Sequence, residues 1–184
     1  MTLEARGAVD AAAEAVMREV LERGGVRAPP QRVVLVSVDR QRLYLLERGH
    51  LKADYPISTA AAGVGGADGS YRTPPGLHRV HAKIGAGSPS GTVFAERQAT
   101  GRVWRGETSS EDLILTRVIT LEGLEPAVNQ GHGCDSLERS IYIHGTNQED
   151  QLGTPASHGC IRMANRDVID LFDRLEPGDL VVVA

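Results

Sequence analysis

The feature that most constrains this chain is a change of period at residues 24–30. Ahead of it, Val9, Ala12, Ala13, Val16, Met17, Val20 and Leu21 recur at three- and four-residue steps, with Asp10, Glu14, Arg18 and Glu22 between them. That spacing predicts an amphipathic helix over 8–23, packed against a domain. Gly24-Gly25 stops it, and Ala28-Pro29-Pro30 forms a short linker. From Gln31 onward the apolar residues come in short, β-branched runs instead. Strands are expected over 32–38, 42–47, 51–58, 77–84, 113–121, 140–143 and 179–183, with Arg48-Gly49-His50 turning between the second and third. One late helix is expected over 165–175, capped by Asn165 and ended by Pro177-Gly178. The expectation is an N-terminal helix and linker over 1–30, followed by one mainly β domain over 31–184.

Two segments fall outside this grammar. Residues 60–76, AAAGVGGADGSYRTPPG, predict a long glycine-rich loop. It is no phosphate loop, because no Gly-Lys-Ser/Thr follows and no helix is launched. Residues 85–112 have no clear period and read as an insertion or lid.

Composition narrows the function classes. A formal net charge of −4 gives no general attraction for nucleic acid or anionic membrane. Lys83, Arg97, Arg102 and Arg105 are too sparse to make a basic patch. No stretch approaches the roughly 18 apolar residues of a membrane span. Glu4, Arg6, Asp10, Glu14, Arg18, Glu19 and Glu22 interrupt any apolar core of a secretory signal, so a cytoplasmic protein is expected. The two cysteines, Cys134 and Cys160, allow at most one disulfide and no disulfide framework.

Both cysteines lie in a His-Gly-Cys sequence, and the second is embedded in the most informative segment, IYIHGTNQEDQLGTPASHGCIRMAN, residues 141–165. A thiol becomes a nucleophile when an imidazole takes its proton and a third group orients that imidazole. His144 closes the β-type run Ile141-Tyr142-Ile143, a rigid mount for a base. Cys160 sits in the turn Ser157-His158-Gly159-Cys160, whose successive backbone N–H groups can bind an oxyanion. Arg162, two residues on, falls on the same side of a strand as Cys160 and suits a substrate carboxylate. A single Cys is more often a small buried hydrophobe, and a single His more often a satisfied core residue; it is their clustering that points to chemistry. His132-Gly133-Cys134 lacks the preceding serine and the following Ile-Arg-Met-x-Asn, which assigns it to a loop near the site at best.

His144-Gly145-Thr146, then Ser157-His158-Gly159-Cys160-Ile161-Arg162-Met163 with Asn165, resembles the signature of the YkuD-type L,D-transpeptidase catalytic domain. Tyr55-Pro56-Ile57-Ser58, Thr73-Pro74-Pro75-Gly76 and Pro177-Gly178-Asp179-Leu180-Val181 are similar to further parts of that family, so the resemblance covers about residues 31–184. It implies a β-sandwich with a few short helices, an active site at one edge and a variable lid. It also implies attack on the diaminopimelate–D-Ala bond of peptidoglycan stem peptides or muropeptides, without cofactor or metal. On this resemblance Cys160 is the nucleophile, His144 its base, and the Gly145 carbonyl the group that orients His144. His158, Gly159 and Cys160 shape the oxyanion turn, Arg162 supports the site or meets a carboxylate, and Ser157 and Asn165 support turn and cap. The family's thiolate is also a target of carbapenems.

With no export signal in view, the resemblance favours a cytoplasmic L,D-carboxypeptidase trimming tetrapeptides to tripeptides. The alternative is a transpeptidase that forms 3-3 crosslinks or exchanges D-amino acids. Two readings from other classes remain. His132, Cys134, His158 and Cys160 would serve as ligands of a structural zinc, or the domain would bind muropeptides without turning them over.

Overall fold

The computed structural model describes residues 11–28 and 30–184, with α1 at Ala11–Arg23. The start of the expected helix at residues 8–10 lies outside the described residues. Within α1 the apolar face buries Met17, Val20 and Leu21, whereas Val16, which fits the same period, is 42% exposed. None of the helices among the described residues is long and apolar enough to cross a membrane.

Ten strands follow: β1 (Arg32–Ser37), β2 (Arg42–Glu47), β3 (His50–Ser58), β4 (Gly76–Ile84), β5 (Thr92–Ala95), β6 (Gln98–Val103), β7 (Ile114–Gly123), β8 (Tyr142–Gly145), β9 (Ile161–Met163) and β10 (Leu180–Val183). A short 3-10 turn occupies Glu149–Gln151, and α2 spans Asn165–Arg174. Their pairing order is β4-β10-β1-β2-β3-β9-β8-β7-β5-β6, and β4 pairs again with β7. The second pairing joins the two layers of the sandwich along both edges, so every strand but β5 and β6 lies in a closed ring. Closure leaves those strands without a free edge.

The interior is filled from alternate positions. Val34, Val36, Leu43, Leu45, Ile57, Ile119, Leu121, Ile143, Ile161 and Met163 pack around Val168, Leu171 and Phe172 of α2. The other faces of β1, β2 and β10 present Val33, Leu35, Tyr44, Leu46 and Val182 to Met17, Val20 and Leu21 of α1. β1 is therefore buried on both faces, which is why it reads as an unbroken aliphatic run in place of an alternation.

The strands expected from the sequence are present, and three features differ. Residues 85–112 are not free of secondary structure, since they hold the β5–β6 hairpin, docked on β7 through Val93↔Leu115 and Phe94↔Ile114. β6 is almost wholly exposed, so no burial pattern marks it in the sequence. β8 begins two residues later than expected, which puts His144 within the strand rather than at its end. α2 has Ala164 at its cap position and no side-chain cap, and Asn165 is instead its first residue.

Candidate active site

β8 and β9 run parallel, with Ile143 opposite Ile161 and His144 opposite Arg162. Because side chains alternate along a strand, Ile143, Ile161 and Met163 enter the core. Tyr142, His144 and Arg162, together with Cys160 just ahead of β9, take the other face. The expected pair thus comes from β8, which carries His144, and from the turn leading into the neighbouring β9, which carries Cys160.

His144 is buried, and its Nδ1 lies 2.7 Å from the Gly145 carbonyl oxygen. A carbonyl only accepts, so Nδ1 carries the ring proton and Nε2 keeps a free lone pair. Burial holds this imidazole below its ordinary pKa, against the Gly145 hydrogen bond and the Asp112 charge, and Arg162 adds to the lowering. The half-buried Cys160 thiol donates to the Ser140 carbonyl at 3.4 Å. Burial pushes its pKa up to about 11; the Tyr142 backbone N–H opposes this, Asp112 reinforces it, and Arg162 and Arg139 oppose it. Thiol and imidazole are both neutral at rest, and among the described residues no hydrogen bond joins them. Such a pair suits a nucleophile deprotonated as it attacks rather than a preformed thiolate–imidazolium pair.

The turn before Cys160 is pinned from within and from without. Ser157 Oγ donates to the Cys160 carbonyl at 2.6 Å and accepts the Gly159 N–H at 3.2 Å. Gly159 has φ +132°, a backbone conformation that favours glycine. The Gly159 carbonyl accepts from Thr73 Oγ1 at 3.0 Å, and the same hydroxyl accepts the Ala60 N–H. The glycine-rich loop 60–76 therefore forms one wall. Arg139 clamps that loop, donating to the carbonyls of Gly66 at 2.9 Å and Arg72 at 2.8 Å.

The remaining expected residues do other work. Arg162 is 1% exposed, and its guanidinium bonds Asp112, Gln148 at 2.9 Å and Gln151 at 3.4 Å. The carboxylate it meets here belongs to the chain itself. Asn165 donates to the Thr146 carbonyl at 2.8 Å and to Glu149 at 2.7 Å, and accepts from Thr116, tying β7 and the 146–149 segment to α2. His158 is exposed, with Nδ1 3.3 Å from Asp112 and its ring edge-on to Tyr71. Asp112 and Arg139 carry no signal in the sequence: neither lies in a motif, and their partners are dozens of residues away.

The second wall is the hairpin. Phe94 of β5 packs with Val118, Tyr142 and Cys160, and Arg97 at the hairpin turn donates to the Tyr142 hydroxyl at 2.9 Å. A groove of about 510 Å³ lined by Val93, Thr100, Arg102, Asp112 and Leu113 runs along this side. A larger hollow of about 580 Å³ lies under α1, between Met17, Leu21, Val33 and Leu46, and shares no residue with the site. Cys134 is a free thiol bonded to the Gln130 carbonyl at 3.4 Å, and Cys160 is also free. Among the described residues no group of three or more His, Cys, Asp or Glu is arranged to hold a metal ion.

Known proteins share this architecture. The sequence model of the YkuD family, described as the L,D-transpeptidase catalytic domain, matches residues 31–183. Putative L,D-transpeptidase YqjB of Bacillus subtilis is 46% identical over 54 residues, 29% of this chain and 31% of that protein. Probable L,D-transpeptidase ErfK/SrfK of Salmonella typhimurium is 31% identical over 105 residues, 55% of this chain and 34% of that protein. The chain thus spans about a third of the length of these curated relatives. L,D-transpeptidase 3 from Mycobacterium tuberculosis, in complex with a faropenem-derived adduct, superposes with a TM-score of 0.54 at 16% identity, over 84% of this chain and 60% of that one. The L,D-transpeptidase from Xylanimonas cellulosilytica gives 0.54 at 20% identity, over 86% and 62%. At such identities the likeness is one of fold.

Proposed function

Because the chain belongs to the YkuD family of L,D-transpeptidase catalytic domains, we propose that it performs cysteine-dependent acyl transfer at the diaminopimelate–D-Ala bond of peptidoglycan stem peptides. Cys160 is the nucleophile and His144 the base. The observation that carries this reading is the Nδ1 hydrogen bond of His144 to Gly145, which leaves Nε2 as the basic nitrogen on the face that holds Cys160.

In this reading Sγ of Cys160 attacks the carbonyl carbon of the diaminopimelate residue while its proton passes to Nε2 of His144. The carbonyl oxygen becomes an oxyanion against the backbone of the 157–160 turn. Collapse breaks the C–N bond, and His144 returns the proton to the departing D-Ala amine, leaving a thioester on Cys160. Water then adds to the thioester, giving its proton to His144, and the tripeptide carboxylate leaves as the thiol reforms. With water as the acceptor the outcome is that of an L,D-carboxypeptidase. An amine acceptor in its place gives the transpeptidase for which the curated relatives are named.

The test is mass spectrometry of a diaminopimelate-containing tetrapeptide incubated with the wild type and with Cys160→Ala, with and without excess D-amino acid. Cys160-dependent tripeptide without added acceptor supports the carboxypeptidase; product carrying the added D-amino acid supports the transpeptidase. Turnover that survives Cys160→Ala removes the proposal. The faropenem-derived adduct on the M. tuberculosis enzyme makes the same drug a probe here, with acylation expected on Cys160 and not on Cys134.

A further inference from the structure

We propose that Asp112, at the end of the segment that carries the hairpin wall, is a positioning residue that holds Arg162 and His158 and balances the charge beside Cys160 and His144. The inference rests on the acyl-transfer reading of this site.

Three observations place it there. Asp112 accepts from Nη2 of Arg162 and lies 3.3 Å from Nδ1 of His158, so one carboxylate touches both flanks of the Ser-His-Gly-Cys-Ile-Arg run. Arg162 is 1% exposed, its other side-chain acceptors are the neutral amides of Gln148 and Gln151, and its Nε has no partner among the described residues. A buried guanidinium needs an anion, and Asp112 supplies it. Finally, Asn147 grips the chain on both sides of Asp112. Its Oδ1 accepts the Leu113 N–H at 3.0 Å, and its Nδ2 donates to the Glu111 carbonyl at 2.9 Å. Asn147 lies only three residues beyond His144, so the position of Asp112 is set from the base's own segment.

The register explains why this carboxylate matters to the chemistry. Arg162 is directly opposite His144 on the neighbouring strand. Left unbalanced, its charge makes the imidazole harder to protonate and the Cys160 thiolate easier to form. Asp112 opposes both effects, keeping the proton on sulfur until substrate is in place and His144 basic enough to receive it. The charged groups facing the pair are Arg162 from β9, Asp112 from the hairpin segment and, toward Cys160, Arg139 from the 134–140 turn. His158 meets them through Asp112.

The test is the pH dependence of Cys160 alkylation by iodoacetamide, in the full chain with Cys134→Ser to silence the second thiol, beside the pH profile of tetrapeptide turnover. Asp112→Asn should move the alkylation midpoint and the acid limb of kcat/KM to lower pH and reduce kcat by roughly tenfold; Asp112→Glu should restore all three. Asn147→Ala keeps every charge and should give a smaller shift in the same direction, so it carries the test if Asp112→Asn does not fold. Coincident midpoints and profiles in the variants and wild type, with only thermal stability altered, would overturn the proposal. If the wild type turns over no stem peptide and the alkylation midpoints still move, the stem-peptide part of the acyl-transfer reading fails, while the hold of Asp112 on the charge beside the Cys160 thiol is kept.

Discussion

The Nδ1 atom of His144 lies 2.7 Å from the carbonyl oxygen of Gly145, the next residue on the same strand. A backbone carbonyl can hold an imidazole only if the peptide is itself held, and Gly145 is fixed by close packing. A Cβ at this position would stand 2.5 Å from Asn165 Oδ1 and 2.8 Å from the Leu115 carbonyl oxygen. Gly145→Ala must therefore shift β8 against β7 and α2. We expect a loss of about 1–3 kcal/mol, typical of overpacking, in urea denaturation. Tetrapeptide turnover should fall further than the loss of folded protein accounts for, because His144 loses its orienting partner. Wild-type turnover per folded molecule would show that the carbonyl is not needed.

The neutral resting pair has a pH signature. With burial holding the Cys160 thiol at about 11 and His144 below its ordinary value, alkylation of the free protein should be slow at neutral pH and should climb as pH rises towards the thiol's value. A preformed thiolate–imidazolium pair would instead react fast on a plateau starting well below neutrality. Iodoacetamide rates on the Cys134→Ser protein between pH 5 and pH 10 decide between the two.

Much of this site is contiguous in sequence, which is why it can be read there. Ser157 to Asn165 brings the thiol, its pinned turn, Arg162 and the first residue of α2 in a single run, and His144 directly follows the recognisable β-type run Ile141-Tyr142-Ile143. Val33–Val36 is equally plain, being aliphatic on both faces of a doubly covered strand. Asp112 is not legible, because its pairing with Arg162 spans 50 positions and it lies in a segment without period. The β5–β6 hairpin escapes for a related reason. β6 is held by backbone pairing and has no buried face to impose alternation. The late start of β8 follows from Ser140, whose φ of +57° delays the extended run.

A second buried histidine, outside the site, is expected to make stability depend on acid pH. His78 is wholly buried, with Nδ1 3.1 Å from the Gly76 carbonyl and Nε2 3.0 Å from Ser136 Oγ. Burial lowers its pKa to about 4, against the Gly76 hydrogen bond and Glu125. The unfolded chain takes up this proton near pH 6.5 and the folded chain only near 4. Stability is therefore full above about 6.5 and declines as pH falls through that window, by about 3 kcal/mol at most. His144 contributes in the same direction. His78→Gln removes one of these protons, so the urea midpoint should depend less steeply on pH between 6.5 and 4. An unchanged slope would mean that His78 takes no part in acid unfolding.

The hairpin wall is expected to be held shut by Arg97. Glu96 and Arg97, between β5 and β6, have φ of +48° and +64°, the left-handed pair of a tight two-residue hairpin turn that normally favours Asn-Gly. Side chains other than glycine resist this conformation by about 1–2 kcal/mol per residue. Something must outweigh that strain at Arg97, and its side chain supplies the contacts. Nε donates to the Tyr142 hydroxyl at 2.9 Å, Nη2 to the Leu137 carbonyl at 2.6 Å, and the guanidinium lies 5.6 Å from the Tyr142 ring centre. Arg97→Ala keeps the strain and loses the contacts; Arg97→Gly loses both. Hydrogen exchange over residues 92–103 should therefore quicken in both variants, while the thermal midpoint falls in Arg97→Ala and falls less in Arg97→Gly. Exchange as slow as in the wild type would show that the hairpin is held by Phe94 and its β7 pairing alone.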